Sequence, residues 1–364
     1  MVNMSRRSQI ISGSYLVGPL LTIIVTSLFW NNPPNAAGVL LITFVLIGAV
    51  LTAVHHAEVI SVRIGEPFGA LVLALAVTII EVGLIIAIIT SSTDILSSLG
   101  RDTVFSAIMI TCNGIIGFSI VAATLRGGTA SLNSEGSGAS LGAIATIATL
   151  SLVLPTFTRS SSGPTFTTTQ LIFAAIAALN VYLLFLYVLT VRHREHFQNP
   201  SNVVVVPYAD KPTDQQLRIS FILLLVSLVS IIGLAKVISP SVENVVSSAG
   251  LPFFVVAVSI ALVVLLPETL AAIRAARRGD FQTSVNLGYG SAMASIGLTI
   301  PALAIASIAL GLTLELGLNS TELVLFLLTM VVSVITVSSP RVTLLQGGIH
   351  LTIFAAFLVL AIQP

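Results

Sequence analysis

The chain has 364 residues, 55% hydrophobic and only 8% charged, with a formal net charge of +1 and a mean hydropathy of +1.07. Those proportions exclude a soluble globular domain and leave no basic surface for nucleic acid, so lipid is the solvent for most of the chain.

Apolar runs long enough to cross a hydrocarbon core of about 30 Å recur throughout. Eleven transmembrane helices are predicted, at 14–30, 37–54, 67–91, 103–125, 139–158, 170–191, 217–238, 250–273, 287–312, 322–338 and 345–363. With the N-terminus inside, Arg6, Arg7, Arg63, Arg126, Arg192, Arg194, Lys211, Arg218, Arg274, Arg277, Arg278 and Arg341 face inward. Arg101, Arg159 and Lys236 face outward, and this asymmetry is what the positive-inside rule requires. The first span follows Arg6 and Arg7 but ends at Trp30-Asn-Asn-Pro-Pro34 without a small-residue cleavage site, so it reads as a retained helix. Cys112 is the single cysteine, so no intrachain disulfide forms.

Residues 1–36 form a tail and first helix, 37–191 a first five-helix repeat, 192–216 a connector and 217–364 a second repeat. Gly65-Glu-Pro-Phe68 opens the span that carries Glu81, and Gly250-Leu-Pro-Phe253 opens the span that carries Glu268. Five helices per half invert the second copy, an architecture common among secondary transporters. The expected fold is therefore an all-α polytopic membrane protein. Within the connector, Val203–Val206 is too short to span, and Gly127 to Ser140, rich in Gly and Ser, is expected to be flexible.

Glu81 and Glu268 carry the functional signal. A charge at the bilayer centre costs about 2.5–3.5 kcal/mol on insertion scales, and such residues ordinarily face a cavity and handle ions or protons. Pro267, directly before Glu268, removes a backbone donor and predicts a break that frees carbonyl oxygens to line a cavity. Candidate auxiliary ligands are Thr78, three residues before Glu81, and Thr269, next to Glu268, with Asn113, Ser291 and Ser295 on the helices that follow. Asn286 is a further amide nearby, and Gly288, Gly290 and Gly297 serve helix packing as readily as function. Calcium takes six to eight oxygens. Two glutamates, hydroxyls, amides, freed carbonyls and waters supply that set, and the same carboxylates bind protons instead, so competition for one site gives exchange.

His55, His56 and Glu58, with Arg63 and Glu66, form a candidate pH-sensing group, for which a solvated interfacial cluster is the simpler reading. Asp102 and Asp280 are expected to cap the following helices, and His350 to be a hydrogen-bonded packing residue. No zinc-protease, Walker or nucleophile-elbow motif is present. The chain is therefore expected to be a transporter rather than an enzyme, with no cofactor.

Five separated blocks resemble the bacterial ChaA-type cation/proton antiporters of the calcium/cation antiporter (sodium/calcium exchanger) superfamily. They are His55 to Gly69 with Val72 to Glu81, Arg101-Asp-Thr103, Leu266 to Ala272, Gly290 to Pro301, and the last helix with Gly347, Gly348 and His350. The resemblance implies exchange of calcium, sodium or potassium for protons across the inner (plasma) membrane, with Glu81 and Glu268 as the paired metal-binding carboxylates of two inverted repeats. Relatives place Gly-Asn shortly before each glutamate. Val77-Thr78 and Val264-Leu265 stand there in this chain, which favours monovalent exchange over high-affinity calcium binding. The connector also lacks an acidic run. The rival readings are a passive cation channel and a structural membrane protein whose glutamates contact partner helices. Assembly as a homo-oligomer is compatible with each.

Overall fold

The computed structural model describes residues 18–32, 34–65, 68–91, 97–197 and 212–364. Arg6, Arg7, Glu66, Pro67, Val203–Val206 and Lys211 lie outside the described residues. Two compact units are formed, Met1–Ile95 with Tyr208–Gly250 and Leu96–Pro207 with Leu251–Pro364, so each draws on both halves of the sequence.

In the first unit, helices α1 (Gly18–Phe29), α2 (Ala36–Ile64), α3 (Phe68–Ser91) and α9 (Asp214–Ser248) pack together. Asn35 caps α2, its side-chain oxygen accepting from Gly38 N at 2.9 Å. Thr213 and Gln216 form a reciprocal capping box at α9. Helix α2 ends at Gly65, whose φ of +79° is open to glycine without steric cost. Gly250 has φ +64°, so a left-handed glycine precedes each glutamate-bearing segment. A Cβ on Gly69 would lie 2.4 Å from Ser61 O, so the reversal from α2 to α3 requires glycine there. Val25, Ile42, Val45, Leu234 and Ile238 form a core between α1, α2 and α9. Helices α2 and α9, at 29 and 35 residues, run past their apolar stretches at 37–54 and 217–238.

The second unit begins with α4 (Leu99–Met109), a π-helical turn (Ile110–Ile115) and α5 (Ile116–Gly127), which follow one another as a single span. Then come β1 (Thr129–Ser131), α6 (Ser134–Ala148), a π turn at Thr149–Val153, α7 (Leu154–Phe157), and α8 (Thr168–Tyr187) with a π turn and the 3-10 turn Arg194–Phe197. The second half adds α10 (Phe254–Val264), α11 (Leu266–Arg277), α12 (Phe281–Leu310), α13 (Ser320–Ser338), β2 (Arg341–Thr343) and α14 (Leu344–Ile362). Among the described residues, nine helices are long and apolar enough to cross a membrane, ten with the bent pair α10–α11. The described part of α1, at about 1.5 Å per residue, is too short to cross alone. Large apolar side chains such as Phe44, Val229 and Leu345 lie on the outside, more than 70% exposed, as a lipid-facing surface requires.

Two sequence expectations change here. The Gly127–Ser140 stretch is ordered rather than flexible. Thr129, Ala130 and Ser131 pair antiparallel with Thr343, Val342 and Arg341, a short ladder in an otherwise helical chain. Asn133 then caps α6, and its backbone N–H donates to Gln282 Oε1 at 2.8 Å. Gly136 serves close packing, since a Cβ there would lie 2.2 Å from His196 O. The ladder also has a counterpart. Thr165 bridges Glu315 beyond the far end of the α6–α7 rod, joining the loops that two inverted copies would place in correspondence with β1 and β2.

The second correction concerns Asp102. Asp280 caps α12 as expected, accepting from Thr283 N at 3.2 Å, but Asp102 lies inside the first turn of α4 and is buried. It accepts from Arg101 Nε at 2.7 Å and from Ser98 Oγ at 3.0 Å. Arg101 also donates to Gly317 O at 3.0 Å and stands 3.8 Å from Glu322. The aspartate is thus one member of a buried ionic cluster, because α13 brings a second carboxylate to the same guanidinium.

Candidate functional site

In the first unit, Glu81 is the 14th of the 24 residues of α3 and is 1% exposed. Thr78, three residues earlier on the same face, is also buried. Helix α3 packs against α2 and α9, and two residues beyond the glutamate a Cβ on Gly83 would lie 2.8 Å from Ile232. Gly83 lets Ile232 of α9 approach α3, while Glu81, two residues earlier, points to a different side of the helix. His56 is buried on α2, with Nδ1 3.2 Å from Ser220 Oγ of α9. His55 is half-buried with its ring centroid 5.6 Å from that of His56, while Glu58 is exposed. These three residues share one end of α2.

In the second unit, α10 and α11 meet at a 53° bend, where the sequence places Pro267. Proline has no N–H to return to Val263 O, so the ladder breaks there. Glu268 follows in the first turn of α11, where the positive end of the helix dipole favours a carboxylate. Thr269 donates its hydroxyl to Leu265 O at 2.7 Å, which fastens the new helix to the residue at the bend.

Helix α11 packs on α12 and on the π turn that holds Asn113. Ser291 and Ser295 lie on α12 four residues apart, half-buried and buried, so one face carries both. Gly288 brings α12 onto the junction of the π turn and α5, since a Cβ there would lie 3.4 Å from Ile115 Cγ2 and 3.2 Å from Ile116 Cδ1. Gly297 does the same against Tyr182 of α8, whereas Gly290 has open space. The glycines divide accordingly: two serve packing, and the third is not fixed by it.

Asn113 is fully buried in a π-helical turn, a backbone form that recurs at functional sites. Its Nδ2 donates to Thr329 Oγ1 at 2.9 Å, and its Oδ1 lies 3.1 Å from His350 Nδ1. His350 Nε2 lies 3.0 Å from Thr336 Oγ1, which completes the role of a hydrogen-bonded packing residue. The arrangement fits a neutral imidazole donating from Nδ1 and accepting at Nε2.

Sequence reasoning missed Glu322, which joins Arg101 and Asp102 and also closes a capping box with Asn319. The signal was the Asn319-Ser-Thr-Glu322 spacing, which marks a helix start.

The sodium/calcium exchanger protein family matches residues 35–191 and 219–363, two blocks that leave out most of the connector. The protein y4hA of Sinorhizobium fredii, named as a candidate ionic transporter, is 41% identical over 319 residues, 88% of this chain and 87% of that one. The sodium-potassium/proton antiporter ChaA of Escherichia coli is 31% identical over 349 residues, 94% of each chain. The crystal structure of the H+/Ca2+ exchanger CAX has the same fold, with a TM-score of 0.73 over 98% of this chain and 89% of that one at 15% identity. A multi-pass helical chain matched by this family in both halves is a transporter rather than an enzyme, and it belongs to the sodium/calcium exchanger protein family.

Proposed function

We propose that the chain exchanges a cation for protons across the inner (plasma) membrane by alternating access. Glu81 and Glu268 bind the cation in one state and protons in the other. The observation that carries this reading is Glu81, a carboxylate 1% exposed at the middle of a lipid-crossing helix. Ionisable residues within membrane helices ordinarily mark ion or proton pathways. Thr78, Thr269, Ser291 and Ser295 supply neutral oxygens, and the carbonyls freed at the α10–α11 bend add more. Asn113, whose amide is engaged with Thr329 and His350, supports the site by setting the π turn.

Sodium and potassium are the favoured cargo, with calcium third. The places of two amides are taken by Val77-Thr78 and Val264-Leu265, and the Escherichia coli relative is named for sodium, potassium and protons. The positive-inside distribution puts the N-terminus in the cytoplasm. His55, His56 and Glu58, the candidate pH-sensing group, sit at the end of α2 that this topology makes cytoplasmic.

The test is proton release from everted vesicles holding an acid interior, with potassium, sodium or calcium added in turn. Wild type should release protons on cation addition, and Glu81→Gln and Glu268→Gln should not. Cation flux independent of the proton gradient would instead identify a passive channel. No flux from folded, inserted protein would favour a structural role.

A further inference from the structure

A group of metal-ligating side chains other than Glu81 and Glu268 gathers where α8 gives way to the connector. His193, Glu195 and His196 offer ligand atoms that all lie within 4.8 Å of one another. The local fold explains the convergence. In a 3-10 turn residues three apart eclipse, so His193 and His196 stack with ring centroids 5.2 Å apart and planes 24° apart. Glu195 Oε1 stands 3.5 Å from His193 Nδ1 and 3.8 Å from His196 Nε2. Zinc bonds of about 2.0–2.2 Å at tetrahedral angles place ligand atoms about 3.4 Å apart.

Two further observations point to a built site. The other nitrogen of His196, Nδ1, lies 3.5 Å from Glu135 Oε2 of α6. Metal-bound histidines ordinarily present their second nitrogen to a carboxylate in this way. The turn is also anchored: Asn286 Nδ2 donates to Phe197 O at 2.6 Å, buried Phe197 packs edge-on against Phe185, and Gly136 leaves room for His196 O. Glu135 and Glu195 together balance the flanking Arg192 and Arg194.

We propose that His193, Glu195 and His196 bind a divalent transition-metal ion of the zinc class, with Glu135 orienting His196 and water completing the shell. Two imidazoles suit zinc or cobalt, whereas calcium and magnesium require oxygen donors. The site therefore takes a metal of a different class from the transported cations, and occupancy ties the start of the connector to α6.

The experiment is a cobalt titration of the purified full chain, made without a polyhistidine tag and carrying Glu81→Gln and Glu268→Gln to silence the transport carboxylates. Visible absorption reports four-coordinate cobalt. One cobalt per chain is expected, displaced by stoichiometric zinc and retained in millimolar calcium. His193→Ala and His196→Ala should each weaken binding at least tenfold, and Glu135→Gln by about 10–100-fold, the usual cost of losing an orienting partner. A His193→Ala/His196→Ala chain that titrates like its parent would overturn the site, and so would displacement of cobalt by calcium. Should a histidine variant elute as aggregate, Glu135→Gln decides alone, and an unchanged affinity there counts against the proposal.

Discussion

Asn113 and His350 are joined by a buried hydrogen bond, Oδ1 to Nδ1 at 3.1 Å, across 237 residues of sequence. It ties the π turn of the fourth span to the last helix. Because Asn113 Nδ2 also reaches Thr329 and His350 Nε2 reaches Thr336, one amide and one imidazole hold three helices together.

Replacing Asn113 by Ala would leave His350 Nδ1 and Thr329 Oγ1 buried without this partner. Each such group costs about 1–3 kcal/mol. Asn113→Ala should therefore lower the thermal midpoint in detergent clearly, and His350→Ala should do likewise. A midpoint equal to wild type would show that the network contributes nothing to stability.

The Arg101 cluster predicts a non-additive result. Removing Arg101 leaves Asp102 and Glu322 as neighbouring buried carboxylates, with side chains 9% and 7% exposed. Breaking such a group by deleting one partner costs about 3–5 kcal/mol, whereas neutralising every member is far cheaper. Arg101→Met should destabilise strongly in chemical unfolding, and adding Asp102→Asn with Glu322→Gln should recover most of the loss.

Two glycines on α12 should respond in opposite ways. A Cβ on Gly297 would lie 2.5 Å from Tyr182 Cβ, so Gly297→Ala should cost about 1–3 kcal/mol by overpacking. Gly290 has nothing within 4 Å, and Gly290→Ala should be neutral or gain up to about 1 kcal/mol from helix propensity. Paired thermal unfolding curves decide this, and equal losses at both positions would contradict the packing described.

Pro267→Ala tests the bend. An alanine N–H at 267 can bond to Val263 O, relieving a proline penalty of about 3 kcal/mol in a continuous helix. The variant should be at least as stable as wild type yet exchange cations at least tenfold more slowly in vesicles. Undiminished exchange would mean that the bend is not needed for transport.

Local chemistry made much of this protein legible from sequence. Hydropathy marks what lipid must cover, so nine of the eleven expected spans coincide with helices long and apolar enough to cross, and a tenth with the bent pair α10–α11. Pro267 announced a break because a missing N–H acts on its own helix, and Gly65 and Gly250 announced the turns before the two glutamate segments because only their backbone freedom matters. Glu81 was conspicuous because hydrocarbon offers it nothing.

The tertiary structure decided which partner each polar group finds, because that depends on residues hundreds of positions away. Asp102 reads as a cap beside its own helix, and becomes part of an ionic cluster only when α13 delivers Glu322. Gly127–Ser140 reads as loose from its composition, yet pairing with Arg341–Thr343 and contact with the connector turn order it. His193 and His196 look like solvated connector residues until a 3-10 turn stacks them and α6 supplies Glu135. Backbone preference and hydrophobicity are properties of short windows of sequence. Hydrogen-bond and metal-ligand geometry is a property of surfaces that meet only on folding.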